Sequence, residues 1–281
     1  MPTVTHPLPP NTEPQGTPQQ QPAVEPPLRI RYRVRFAKTD LLRWISHRDL
    51  ARLWERLIRR AALKPSMTEG FHPKPRIGFP SALALGVESL DEVVEIELAE
   101  ELTPAEMLRR LQEDDQPGLT INSVAKLPEA FGKAQLLQSD YVITSIAAAN
   151  PQAITQAIEQ LTSQQTVSVE RKKKTMTVEV AQQILDLDLR DQQIHLSLAA
   201  SESASLRPAD VLDLLGFGDW IEKGSLITRV RVVLQREFQS DDDSEMVVAE
   251  PARNPDSISK SDSTPDSDST KKLESEPIQN N

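Results

Sequence analysis

Arginine is concentrated in one stretch of this sequence, residues 29–76, and its spacing there suits contact with a polyanion. The stretch holds 14 Lys or Arg and only 4 Asp or Glu, although the whole chain has a formal net charge of −10. Residues 29–36 alternate arginine with apolar side chains, the two-residue period of a β-strand with one cationic face. Cationic side chains at regular spacing supply sequence-independent affinity for phosphates, so the stretch predicts nucleic-acid contact, with RNA favoured.

The period then changes to that of a helix. Ser46 is a predicted N-cap, and apolar residues recur at helical spacing after it, with arginine on the remaining surface. The predicted apolar stripe consists of Leu50, Leu53, Trp54, Leu57, Ile58 and Ala61. The predicted RNA-binding residues are Arg31, Arg33, Arg35, Arg48, Arg52, Arg56, Arg59, Lys74 and Arg76.

Two other interpretations of the arginines stay open. The strand arginines can pair with Glu95 and Glu97 of the predicted third strand, which would make their face an internal ion-pair network. Alternatively, the cationic surface can be a protein interface.

Two histidines are the candidates for catalysis. His47 stands at the start of the first helix, and His72 lies in a predicted binding loop, Gly70-Phe71-His72-Pro73. General acid–base cleavage of RNA is conceivable with such residues, and the placement of His47 resembles that in metal-independent CRISPR repeat-processing ribonucleases. The alternative is that His47 caps a helix and His72 orders a Pro-rich loop, so catalysis is not expected of this chain.

The composition excludes several classes of chemistry. Cys is absent, so this chain carries no disulfide, thiolate nucleophile, Cys-ligated zinc or iron–sulfur cluster. No metal site or cofactor is predicted, and no apolar run reaches the length of a membrane span. We expect a cytoplasmic protein that is soluble. Residues 1–28 are Pro-rich and residues 238–281 are rich in Ser and Asp, so both ends are predicted to be disordered.

Between the two ends, the element order β-α-β-β-α-β is predicted twice in succession. This order is the ferredoxin-like unit, so the predicted fold class is α+β with two tandem ferredoxin-like halves. The first half covers residues 29–128, a linker covers 129–139, and the second half covers 140–237. In the second half the predicted middle strands are 166–170 and 175–180, around a basic turn that is interpreted as a solvated hairpin tip. Residues 181–189 are predicted to be an insertion or an extra edge strand.

Three segments carry a family resemblance: SHRDLARLWERLIRRAAL, SMTEGFHPKPRIGFPSALALGVES and DEVVEIEL. The sequence resembles the bacterial radical-SAM-linked protein family, a domain of unknown function, over about residues 33–236. The similarity is strongest in Ser46-His47-Arg48-Asp49 and in Gly70-Phe71-His72-Pro73. Members are typically fused to, or encoded beside, a cobalamin-binding radical SAM protein. The resemblance therefore implies a separate radical SAM protein as partner.

The function expected from the sequence is that of a non-catalytic accessory module of a radical SAM system. It would bind RNA, such as tRNA or rRNA, through its Arg-rich surface and present it to a separate enzyme. The alternatives are a metal-independent endoribonuclease that uses His47 or His72 and a protein-binding adaptor.

Overall fold

The structure is a computed structural model of the chain, and it describes residues 28–146, 149–171, 174–201, 205–240 and 244–250. The chain divides into two units, 1–248 and 249–281, and everything below concerns the described part of the first. The segments predicted to be disordered, 1–28 and 238–281, fall largely outside the described residues. The α+β fold class predicted from the sequence is confirmed.

The first half follows the predicted β-α-β-β-α-β order. Its elements are β1 (Ile30–Lys38), α1 (His47–Arg60), β2 (Ile77–Gly78), β3 (Glu88–Leu98), α2 (Pro104–Gln112) and β4 (Leu119–Lys126). Strand β1 lies between β3 and β4 and is antiparallel to both, and the short β2 pairs with β3. Helix α1 packs on this sheet because its apolar stripe meets β1, with the Trp54 and Phe36 rings edge to face at 5.0 Å between centroids.

The second half differs from the prediction in its middle. Its elements are β5 (Leu136–Thr144), α3 (Pro151–Thr162), β6 (Thr166–Arg171), β7 (Lys174–Glu179), α4 (Val180–Gln183), β8 (Ile184–Arg190), β9 (Gln193–Ala199), α5 (Pro208–Leu214) and β10 (Ile227–Leu234). Strands β6 and β7 pair only with each other within the described residues, as a separate two-stranded sheet. Strand β8 covers most of the segment predicted to be an insertion or an extra edge strand, and it is an edge strand, beside β9 at the end of the sheet. The hairpin β6–β7 is therefore the insertion.

The two sets of strands form one sheet. Within the described ranges, the strand order is β11-β4-β1-β3-β10-β5-β9-β8, where β11 is the short strand Met246–Val248 and β2 lies beside β3. The junction is a short parallel pairing of β3 with β10, in which Ser89 lies opposite Arg229. The prediction of two tandem ferredoxin-like halves stays a prediction, and the strands of the two halves form one continuous sheet through this junction. Residues 129–139 are more than a linker, since they contain the buried Phe131 and the start of β5.

The folded part extends beyond residue 237, where the sequence analysis ended it. A final short strand, β11 (Met246–Val248), pairs antiparallel with β4 at the sheet edge. Covering β4 in this way satisfies part of an edge that would otherwise expose backbone donors and acceptors. No helix among the described residues is long and apolar enough to cross a membrane.

Candidate nucleic-acid-binding surface

The three strand arginines, Arg31, Arg33 and Arg35, are engaged in ion pairs inside the fold. The antiparallel register places Arg33 opposite Glu95, and the Arg33 Nη2 to Glu95 Oε1 distance is 2.8 Å. Their side chains are only 5% and 9% exposed, and Arg33 also lies over the Phe131 ring at 5.4 Å. Arg31 shares Glu95 at 3.9 Å. These contacts agree with the alternative prediction, in which the strand arginines pair with glutamates of the third strand.

Arg35 is held from two other parts of the chain. Its Nη1 donates to both carboxylate oxygens of Asp91 at 2.8 and 2.7 Å, and its Nη2 donates to both oxygens of Glu237 at 2.8 Å. Burial opposes the charged guanidinium, but the two carboxylates outweigh it and raise the pKa of Arg35. The strand arginines therefore offer little free charge to a ligand.

The helix arginines, Arg48, Arg52, Arg56 and Arg59, are different because all four are exposed. Arg52 pairs with Asp49 at 3.3 Å, and both side chains are more than half exposed, so this pair competes weakly with a ligand. The other three form no ion pair with a carboxylate of the described chain. A helix advances about 100° per residue, which places Arg48, Arg52 and Arg59 in one column with Arg56 beside it.

Local sequence fixes the position of this column. Ser46 is the N-cap as predicted, and its hydroxyl accepts from the Asp49 backbone N–H at 3.2 Å. The Ser46 hydroxyl also donates to the Asp49 carboxylate and, with Arg52, lowers the pKa of that group. Because Leu50, Leu53, Trp54, Leu57 and Ile58 are buried, the opposite side of α1 must face solvent.

The predicted binding loop closes on itself and exposes its tip. Thr68 N–H donates to the Lys74 carbonyl at 2.8 Å, and Lys74 N–H donates to the Thr68 hydroxyl at 3.0 Å. Gly70 supplies the turn with φ +113, a backbone angle that favours glycine. Phe71, His72 and Pro73 are exposed at the tip, with Phe71 fully so at 102%. The loop therefore exposes an aromatic ring together with Lys74, which forms no ion pair within the described ranges, and bases stack on rings of this kind.

Arg76 and His47 are less available to a ligand than the helix arginines. Arg76 contacts Glu69 and Glu97 at 3.9 and 3.8 Å, so it is partly neutralised. The His47 ring packs edge to face on Phe79 at 5.2 Å, which orders the N-terminus of α1 against the following loop. The described residues contain no group of three or more His, Asp or Glu side chains arranged to hold a metal ion.

A second charged cluster is buried in the fold, and none of its residues was predicted from the sequence. Arg229 of β10 donates to Glu92 at 3.0 Å, and both side chains are at most 4% exposed. Burial raises the pKa of Glu92, against the opposing effect of Arg229. Burial also lowers the pKa of nearby Lys38. One signal existed in the sequence, because Arg229 stands two residues after the apolar Ile227 in an alternating strand and so shares its inward face.

Comparison with known proteins gives a family but no function. No curated protein matches this sequence. One solved structure with a detected similarity, titled "Crystal Structure of a Cbf5-Nop10-Gar1 Complex", shares 10% identity at a TM-score of 0.37. The match covers 72% of this chain and 48% of that one, so this chain spans about half the length of its match. A similarity at this level carries no argument about function.

A family model covers residues 31–208, which include all but the first residue of β1, the helix arginines and the exposed loop, and which end at the first residue of α5. The chain therefore belongs to the family described as uncharacterized proteins conserved in bacteria, DUF2344.

Proposed function

We propose that this chain is a non-catalytic, cytoplasmic RNA-binding module that presents RNA to a separate radical SAM enzyme. The observation that supports RNA binding is the column of helix arginines, Arg48, Arg52, Arg56 and Arg59, three of which have no carboxylate partner in the described chain. The strand arginines contribute to stability instead. Phosphates are the ligand class because exposed guanidinium groups on a helix offer charge and hydrogen-bond donors without a shaped pocket.

The expected binding is strongly dependent on salt. If each helix arginine neutralises one phosphate of a single strand, the slope of log affinity against log salt is about −2.8. A fourfold rise in salt then weakens binding by about 50-fold. With two arginines removed, the slope falls to about −1.4 and the same rise in salt weakens binding by about 7-fold.

The test is fluorescence anisotropy with a labelled random single-stranded RNA, from 50 to 200 mM KCl. Arg52→Ala/Arg56→Ala is compared with Arg109→Ala/Arg190→Ala, which removes the same total charge from two exposed arginines of α2 and β8. Only the α1 variant is expected to flatten the salt dependence. Equal slopes in both variants would place the binding surface elsewhere, and no binding by the wild type at 50 mM KCl would end the RNA proposal.

The partner is tested separately, because it is supported only by the sequence resemblance centred on Ser46–Asp49 and Gly70–Pro73. The tagged chain, purified from its native cells, is expected to carry a radical SAM protein together with RNA. Recovery of RNA without such a protein contradicts this part of the proposal alone. Cleavage of added RNA by the purified chain, lost in both His47→Ala and His72→Ala, would contradict the non-catalytic assignment.

A further inference from the structure

A cavity lies where the two sets of strands meet. Its volume is about 620 Å³, within the range of about 300–1,000 Å³ typical of sites for small organic ligands. One wall is the segment 81–87 that precedes β3. The other walls come from β5, the hairpin β6–β7, the end of β9 and the segment that enters α5.

The charged groups on the walls are all of one sign. Three arginines, Arg171, Arg207 and Arg229, line the cavity, and no Asp or Glu is among the described lining residues. The carboxylates that compensate two of them lie behind the wall. Arg229 donates to Glu92 at 3.0 Å and to the Ser81 hydroxyl at 2.9 Å, which fixes its guanidinium at the junction of β3 and β10.

The other two arginines belong to the second half. Arg171, predicted to be part of a solvated hairpin tip, is instead paired with Asp210 and donates to the Ser205 carbonyl at 2.8 Å. Arg207 is exposed and forms no ion pair with a carboxylate of the described chain. The cavity therefore combines two fixed guanidinium groups with a third that is free to contact a ligand.

Ser139 supplies an independent indication of a polar ligand. Its side chain lines the cavity and the residue is only 3% exposed, yet its Oγ has no hydrogen-bond partner among the described residues. A buried hydroxyl without a hydrogen-bond partner destabilises the folded state, so such groups are uncommon outside functional sites. Apolar side chains, including Leu83, Met176 and Leu198, line much of the remaining wall.

We propose that this junction cavity binds a phosphate monoester with an organic body of nucleotide size. Guanidinium groups and hydroxyls are the usual donors to phosphate oxygens in proteins, and the apolar wall suits the organic body. The phosphate belongs either to a free nucleotide or to the end of an RNA chain. The helix arginines do not line the cavity. This inference can therefore fail while the RNA proposal holds, and the reverse is also possible.

The test is isothermal titration of the full chain with AMP and UMP, against adenosine, uridine and inorganic phosphate. A short oligoribonucleotide, with and without a 5′-phosphate, distinguishes the two sources. Arg207→Ala is expected to weaken binding at least about tenfold, since it removes a hydrogen bond to a charged group. Ser139→Ala is expected to weaken it about fivefold without lowering the unfolding midpoint, because the hydroxyl it removes has no partner within the protein.

Matched controls separate the cavity from general effects. Ser145→Ala removes another buried hydroxyl without a partner, and Arg231→Ala removes an exposed arginine of β10; neither residue lines the cavity. Both controls are expected to bind as the wild type does. Binding of the 5′-phosphorylated oligonucleotide alone, lost in Arg207→Ala, supports an RNA end as the source.

Three results would overturn the inference. The first is no binding of any phosphorylated probe up to about 5 mM. The second is equal affinity for nucleosides and nucleotides, since the arginines would then play no part. The third is equal loss of binding in the cavity variants and the controls.

Discussion

Replacing Arg33 by alanine should destabilise the protein without weakening its binding to RNA. Among the described residues, the substitution leaves the buried Glu95 carboxylate with two contacts, Arg31 at 3.9 Å and the Ala134 N–H at 3.2 Å. Breaking a buried ion pair from one side costs about 3–5 kcal/mol. Because Glu95 keeps those two contacts, we expect a loss near the lower limit, about 3 kcal/mol in the free energy of unfolding.

The assay is urea denaturation at pH 7, followed by circular dichroism and tryptophan fluorescence. Arg33→Met/Glu95→Leu removes both charges and fills the space with apolar side chains, so it should be within about 1 kcal/mol of the wild type. Arg109→Ala, which breaks an exposed pair with Glu106, should leave the midpoint unchanged.

Two results would refute this reasoning. A loss below about 1 kcal/mol in Arg33→Ala would show that the pair is effectively solvated. A variant with unchanged stability but weaker RNA binding would return Arg33 to the binding surface. RNA affinity is therefore measured on the same preparation, below the onset of unfolding.

Two further predictions concern the backbone and a buried amine. Gly118→Ala should cost at least about 1 kcal/mol, because φ is +77 and the new Cβ would lie 2.6 Å from the Thr39 carbonyl oxygen. Gly132→Ala, where no atom lies within 4 Å of the new Cβ, is the control, and equal midpoints in denaturant would contradict the prediction. Burial lowers the pKa of Lys38 from its ordinary value of 10.5. Between the pKa of the folded state and 10.5, the unfolded chain binds a proton that the folded chain does not, so the free energy of unfolding should rise with pH over that range. Lys38→Met should lose this rise, and an unchanged pH profile in denaturant titrations would show that Lys38 does not cause it.

The sequence was sufficient to predict an element wherever a single hydrophobic period extended over its whole length. Ser46 as the N-cap and the apolar stripe of α1 could both be predicted, because capping and helical periodicity depend on residues a few positions apart. The exposure of the helix arginines follows from the same stripe. A helix that buries one side against a sheet leaves the other side in solvent.

The ion-pair partners and the burial of the strand arginines could not be predicted from a local period. Alternation places Arg31, Arg33 and Arg35 on one face of β1, but it does not say what covers that face. The cover comes from Phe131 and Glu237, residues that are far away in the sequence. Similarly, the choice between β8 and the hairpin β6–β7 as sheet strands depends on which segment meets β9, since both have strand-like sequences.

The junction cavity depended on tertiary structure most of all. Ser139, Arg171 and Arg229 come from three strands, and nothing in the sequence of any one strand indicates that the three share a cavity. They share a cavity because a short parallel pairing of β3 and β10 holds the two sets of strands in one sheet. The sequence by itself determined the element order of the first half and the exposed surface of α1. Only the tertiary structure decided which arginines are neutralised, because ion pairs and cavities depend on distances between segments that no local period encodes.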